Sequence, residues 1–369
     1  MLRRLAALAV AAALSLAAAP VALACIWDSD TIMQERSRFP TALELMTGKF
    51  IRHTPELYAW RLRDRQAKIA AGAEDLRLVD DLAVAHDKLG DHAAAIAAME
   101  EILPRDPQRY ETLANLGTFY LHDGQLARGV EFIDRALVIN PEAHFGRERY
   151  QRWLAEYILA CKGDGEALTY PLFLRPPHGF EAFLAAELGV TSLSVAEAQA
   201  AVEGVLGMMR FGQHDSPILL EALGDLLSAP QNRHDAGQLA ARAYLLAADA
   251  VAEPEAGAHY RAQAEAALAG HRGVTLASLR AELAAERAEA DAWYAALAAR
   301  ENGWIAGGDD PEAKLAELYA EAPRITGDAP RAGASLDALL DRWLLLLGLV
   351  AAVLAVIVLG RRRARPPSI

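Results

Sequence analysis

Residues 110–143 read YETLANLGTFYLHDGQLARGVEFIDRALVINPEA, and residues 76–109 read LRLVDDLAVAHDKLGDHAAAIAAMEEILPRDPQR. Aligned, the two stretches repeat one plan every 34 residues. Leu82, Gly90, Met99 and Pro107 return as Leu116, Gly124, Ile133 and Pro141, while Ala83 and Ala95 return as Gly117 and Gly129. The spacing predicts two helices per unit, packed closely where the small residues face each other. Gly90 and Gly124 are placed to end the first helix in a left-handed turn. Pro107 and Pro141 are placed to stop the second.

The run Leu113-x2-Leu116-Gly117-x2-Tyr120, with Ala136 and Pro141 downstream, resembles the tetratricopeptide repeat (TPR) family, with Leu113 standing where an aromatic is usual. The resemblance implies an all-α, TPR-like helical-hairpin solenoid whose first helices line a concave surface that accepts a peptide or helix. By register, that surface takes Asp80, Asp81, Val84, Asp87 and Lys88 from the first unit and Asn115, Thr118, Leu121 and His122 from the second. Repeats of this family that clamp a chaperone's terminal carboxylate carry lysine where this chain has Asp80, although Asn115 fits that mode. A groove so acidic favours a basic or neutral partner segment. The other reading of these charges is an ordinary solvated helix face.

The flanks look like worn copies of the same unit. A short helix is expected at Thr41 to Thr47, and Thr54-Pro55-Glu56 opens another running to about Ala71. Tyr150 to Cys161 reads as a solvating helix over the open end of the second repeat. After a looser stretch rich in Pro and Gly, Ser194 and Glu197 form a capping box. Ser216-Pro217 opens a third TPR-like unit, Leu220-x2-Leu223-Gly224-x2-Leu227, whose second helix holds Ala240 and Tyr244 after an insertion near Pro230 to Asp235; Asp215 or Ser216 is expected to cap it. Leu276, Leu279, Leu283, Ala290, Trp293 and Leu297 form one seam in Ala/Glu/Arg-rich helix, read as hairpin packing, and Asp310-Pro311 starts a last helix.

Both ends point to export. Met1 to Ala24 has Arg3 and Arg4, an apolar run and a small-x-small cleavage site at Ala22-Leu23-Ala24. Trp343 to Gly360 is uncharged over about 27 Å of helix and is followed by a basic cluster from Arg361. The expected organisation is therefore a signal peptide at 1–24, a strap and degenerate hairpin at 25–75, two TPR units with a capping helix at 76–162, TPR-like hairpins at 163–322, a linker at 323–342, a transmembrane helix at 343–360 and a cytoplasmic tail at 361–369. A C-terminal sorting signal, later removed, is the other reading of the last two segments. The whole chain of 369 residues has a net charge of -12, and without its basic ends residues 25–342 carry about -18, which opposes nucleic acid binding. Cys161 extends an apolar stripe and reads as a buried thiol, with a disulfide to Cys25 as the alternative; Cys25 itself resembles a lipoprotein acylation site.

Chemistry is sparse. No histidine pair has zinc-hydrolase spacing, and no phosphate-binding glycine loop or nucleophile elbow is present. Asp28, Asp30 and Glu35 either hold a divalent cation or belong to a strap that caps a helix. The opening Cys25-x-Trp27-Asp28-x-Asp30-Thr31, together with Ser216 to Leu227, resembles a group of exported, membrane-anchored bacterial TPR proteins and implies no particular activity. The expected function is that of a membrane-tethered, non-enzymatic scaffold that uses no cofactor and binds another envelope protein, with its bulk outside the bacterial inner membrane. The alternatives are a metal-dependent enzyme using Asp28, Asp30 and Glu35, and a TPR lipoprotein of an envelope assembly machine.

Overall fold

The computed structural model describes residues 27–28, 39–162 and 168–320. The expected signal peptide, the linker, the apolar segment Trp343 to Gly360 and the basic tail lie outside the described residues, as do Cys25, Asp30 and Glu35. Among the described residues there are fourteen α-helices, two short 3-10 turns and no strand, and no helix is long and apolar enough to cross a membrane. The all-α expectation holds.

The helices are α1 (Ala42–Thr47), α2 (Pro55–Ala70), α3 (Leu76–Lys88), α4 (His92–Ile102), α5 (Tyr110–His122), α6 (Leu126–Ile139) and α7 (Arg147–Lys162). After the break come α8 (Phe180–Glu187), α9 (Val195–Phe211), α10 (Pro217–Ser228), α11 (Arg233–Ala250), α12 (Pro254–Ala267), α13 (Leu276–Gly307) and α14 (Pro311–Ala320). Neighbours in sequence pack on one another from α2 to α7 and again from α9 to α12. Gly90 and Gly124 make the expected left-handed turns at φ of 82° and 80°. Thr41 and Ser194 each form a full capping box, and Thr54 caps α2 ahead of Pro55.

The small residues of the repeat sit where the helices touch. A Cβ added at Gly117 would lie 2.6 Å from Ile133 Cγ1 and 3.1 Å from the Ile133 backbone nitrogen. One added at Gly224 would lie 2.7 Å from Tyr244 Cε1, so the third hairpin pairs in the register read from the sequence. Around these contacts Leu113, Leu116, Tyr120, Met99 and Phe132 form one buried core across α3 to α6.

Several expectations fail in detail. The helix of the first unit stops at Ile102, two residues before Pro104 and well before Pro107. Ser216 stands at the N-cap of α10, but its side chain makes no capping bond and its hydroxyl is buried without a partner. Helix α7 does not face water over an open end. It is packed against α6 on one side and α9 on the other, with Gly204 and Gly207 of α9 giving room for Tyr150 and Arg147.

The larger departure concerns α13, 32 residues long, whose principal neighbours are α1, α2, α11 and α14 rather than a hairpin partner. Leu279, Leu283, Ala290 and Leu297 are buried as the seam requires. Acidic residues of the same helix, however, also enter the interior. Glu301, fully buried, accepts from the Thr54 N–H at 2.9 Å and pairs with His53 Nδ1 at 2.7 Å, while Tyr319 reaches the other ring nitrogen. Leu57 of α2 shares a core with Leu297, Leu315, Leu318 and Tyr319. The last described helices are thus seated on the first.

Gly117→Ala and Gly303→Ala separate packing from backbone entropy. Gly303 lies mid-helix with no atom near its would-be Cβ. Thermal unfolding followed by circular dichroism should show Gly117→Ala destabilised by about 1–3 kcal/mol through overpacking. Gly303→Ala should be stabilised by about 0.5–1 kcal/mol. Equal effects would contradict the close approach at Gly117.

Candidate functional site

Eight of the nine residues assigned by register to the concave surface are buried, and the ninth, Lys88, is half-buried. Asp80 is bound bidentately by Arg109, with Nη1 at 2.7 Å from Oδ1. Burial nevertheless pushes its carboxyl up to about 6, against the pull of that guanidinium. Asp81 accepts from Arg65 at 2.8 Å. Asp87 meets two imidazoles, His92 Nδ1 and His122 Nδ1, each 2.8 Å from its Oδ1. Lys88 donates to the Phe211 carbonyl, and Thr118 Oγ1 accepts from Gln151 at 3.0 Å. Val84 and Leu121 are core residues. The three acids placed on this surface are therefore engaged within the chain, and none of them stands on a solvated helix face.

Asn115 is different, because its side chain holds the backbone of a residue far away in sequence. The Trp27 N–H donates to Asn115 Oδ1 at 2.9 Å, and Asn115 Nδ2 donates to the Trp27 carbonyl at 3.0 Å. One amide thus reads both backbone groups of one residue, without regard to its side chain. The Trp27 ring then packs edge-on against Tyr110 at 6.0 Å and His144 at 5.4 Å, within the range of aromatic pairs. The next residue, Asp28, faces Arg61 at 3.4 Å. This is an aromatic seat followed by a cationic contact, built from α2, α5 and the turn before α7.

Beyond Asp28 the structure opens into a cavity of about 280 Å³ lined in part by Arg52, His53, Lys88, Arg210 and His214. Burial holds His214 down to about 4, so it is neutral at pH 7. The fixed charges Arg52, Lys88 and Arg210 outnumber the lining acids Asp28 and Asp215, giving a local sign opposite to that of the whole chain. As for a cation held by Asp28, Asp30 and Glu35, the one described member has its carboxylate on Arg61.

Sequence reading missed three groups. Glu221, buried, and Asp225, half-buried, are the only charges of α10 and lie one turn apart; burial raises both, with repulsion from Asp225 adding to it at Glu221 and from Glu181 at Asp225. They resemble an acid–base pair, yet their oxygens are committed: Glu221 accepts from the N–H groups of Leu172 and Phe173 and from Tyr260, Asp225 from the Phe180 N–H and Tyr244. Their spacing in an apolar helix was a usable signal. His92 had none, since its partner Asp87 is five residues away across a turn. Glu148, fully buried below the seat, accepts from the Tyr110 hydroxyl at 2.7 Å with one oxygen and leaves Oε1 without a partner. Cys161 is a free buried thiol as expected, raised by burial to about 11.

Burial raises Glu148 from 4.5 to about 7. The folded chain therefore holds a proton there that the unfolded chain has lost between pH 4.5 and 7, and stability falls as pH rises across that window. Glu148→Gln should be more stable than wild type at pH 8, by at most about 3 kcal/mol, with the advantage shrinking towards pH 4.5. Chemical denaturation at both pH values checks it; a pH-independent difference contradicts the buried charge. Compared with known proteins, the chain matches no family model, no curated protein and no solved structure.

Proposed function

We propose that the chain is a membrane-tethered TPR scaffold that mediates protein–protein interaction in the cell envelope. It would be anchored by Trp343 to Gly360, and its helical part would stand outside the inner membrane. The observation that carries this reading is the two-bond grip of Asn115 on the Trp27 backbone. A side-chain amide that satisfies both the N–H and the C=O of an extended residue binds a chain by what every peptide shares, and neighbouring pockets supply selectivity. The partner is an extended segment with a large aromatic for the Tyr110 and His144 walls and a neutral or acidic residue after it, since Arg61 and the cavity cations follow. A basic segment fits less well, because Asp80, Asp81 and Asp87 already have cationic or imidazole partners.

Trp27 then stands where the partner's aromatic would, and the two compete. Crosslinking the full-length chain in its own membrane, wild type against Asn115→Ala and Trp27→Ala, tests this directly. Asn115→Ala should lose the captured partner, because each lost hydrogen bond removes about 1 kcal/mol of grip and leaves the segment's backbone unsatisfied. Trp27→Ala should increase capture. If both variants capture what the wild type captures, the seat is not the docking site. Charge reversal at Asp80 or Asp87 does not serve here, since it would break buried pairs and the fold with them.

A further inference from the structure

Asp87, His92 and His122 come from three successive helices, the ends of α3 and α5 and the start of α4. Their ligand-type atoms all lie within 4.8 Å of one another. Both imidazoles turn the same nitrogen, Nδ1, towards the same carboxylate: His92 and His122 each stand 2.8 Å from Oδ1, and His122 is 3.0 Å from Oδ2. The rings are 5.6 Å apart and inclined at 62°, so they do not stack, and both Nδ1 atoms converge on the one carboxylate.

From this geometry we infer that Asp87, His92 and His122 form a binding site for one divalent transition-metal ion of the zinc class, independent of the peptide seat. Two imidazole nitrogens and a carboxylate oxygen are the donors such ions favour, and magnesium or calcium would be served poorly by them. Metal–ligand bonds of about 2.0–2.1 Å set tetrahedral donors about 3.4 Å apart, so the present contacts need open by only about half an ångström, within reach of side-chain rotation. Asp87 and His122 are buried, while the His92 side chain is 21% exposed, so an ion can enter from that side and keep a water in the remaining position. Asp91 and Asp123 act electrostatically on His92 and add negative potential at the entrance. Lys88, which follows Asp87 in the chain, directs its ammonium to the Phe211 carbonyl. The site ties the two central repeat units together, because Asp87 and His92 belong to one and His122 to the other.

The alternative is a clamp made of hydrogen bonds alone, and metal titration distinguishes the two. Full-length chain carrying no histidine tag is titrated with Co²⁺, read by its visible d–d absorption, and with Zn²⁺ by calorimetry and thermal unfolding. The expected result is one ion per chain, displacement of Co²⁺ by Zn²⁺, and a melting temperature that rises with free metal. His92→Gln, at the exposed ligand and so compatible with folding, should lose the Co²⁺ band and weaken Zn²⁺ binding by about 100-fold or more. Unaltered helicity by circular dichroism confirms that the fold persists. Absence of one-to-one binding in the wild type overturns the inference and leaves the clamp. Undiminished binding in His92→Gln places the ion elsewhere and overturns it too.

Discussion

Arg61 and Arg242 are shielded from solvent, and a guanidinium stays charged at any pH the protein meets. Whatever surrounds them must therefore deliver carboxylates, or the fold carries an uncompensated charge at a cost of several kcal/mol. Arg242 of α11 meets Glu286 bidentately at 2.8 and 2.9 Å and Glu282 at 2.9 Å, all on α13. Arg61 and Arg65 of α2 both reach Glu312 at the start of α14. These pairs fix which helices are neighbours, because an apolar stripe can slide along another while a buried bidentate pair has one register. The return of α13 and α14 onto the first helices rests on the Arg61 and Arg65 pairs and on the His53–Glu301 contact, while the Arg242 pairs join α13 to α11.

The same constraint shapes the face expected to receive a partner. Every acidic side chain placed there by register is committed to an internal partner: Asp80 to Arg109, Asp81 to Arg65, Asp87 to two histidines. What remains for recognition is neutral and directional, the Asn115 amide, with aromatic walls beside it. Charge on this face builds the scaffold, and hydrogen bonding reads the backbone.

This division explains what was legible in advance. Gly117, Gly224, Gly90 and Gly124, the caps at Thr54 and Ser194, and the buried Cys161 all express local rules, in which a residue's role depends on neighbours within one hairpin. Asn115 was singled out by register, although its contact with Trp27 was not. Buried ion pairs obey no such spacing. Arg242 and Glu286 are 44 residues apart, and Thr54 and Glu301 are 247 apart, so nothing in either local sequence selects the other. For the same reason α13 read as a seam for hairpin packing: nothing near its glutamates in sequence points to the arginines that meet them. Helix α7 was misjudged because its cover, α9, comes after the loosest stretch of the chain.

An occupant from the same chain also sets the terms of any exchange at the seat. A tethered segment competes at an effective concentration of the order of millimolar, with no translational entropy left to lose. A partner presented in solution at micromolar levels would have to bind the same groups about a thousandfold more tightly to share the seat equally. Two hydrogen bonds and one aromatic contact do not supply that difference, so a displacing segment must gain contacts that Trp27 and Asp28 leave unused. The cavity beyond Asp28, with Arg52, Lys88 and Arg210 on its lining, offers such contacts to a longer acidic segment. The arrangement favours a segment held close to the chain, whose own effective concentration offsets the tether, over one that diffuses freely.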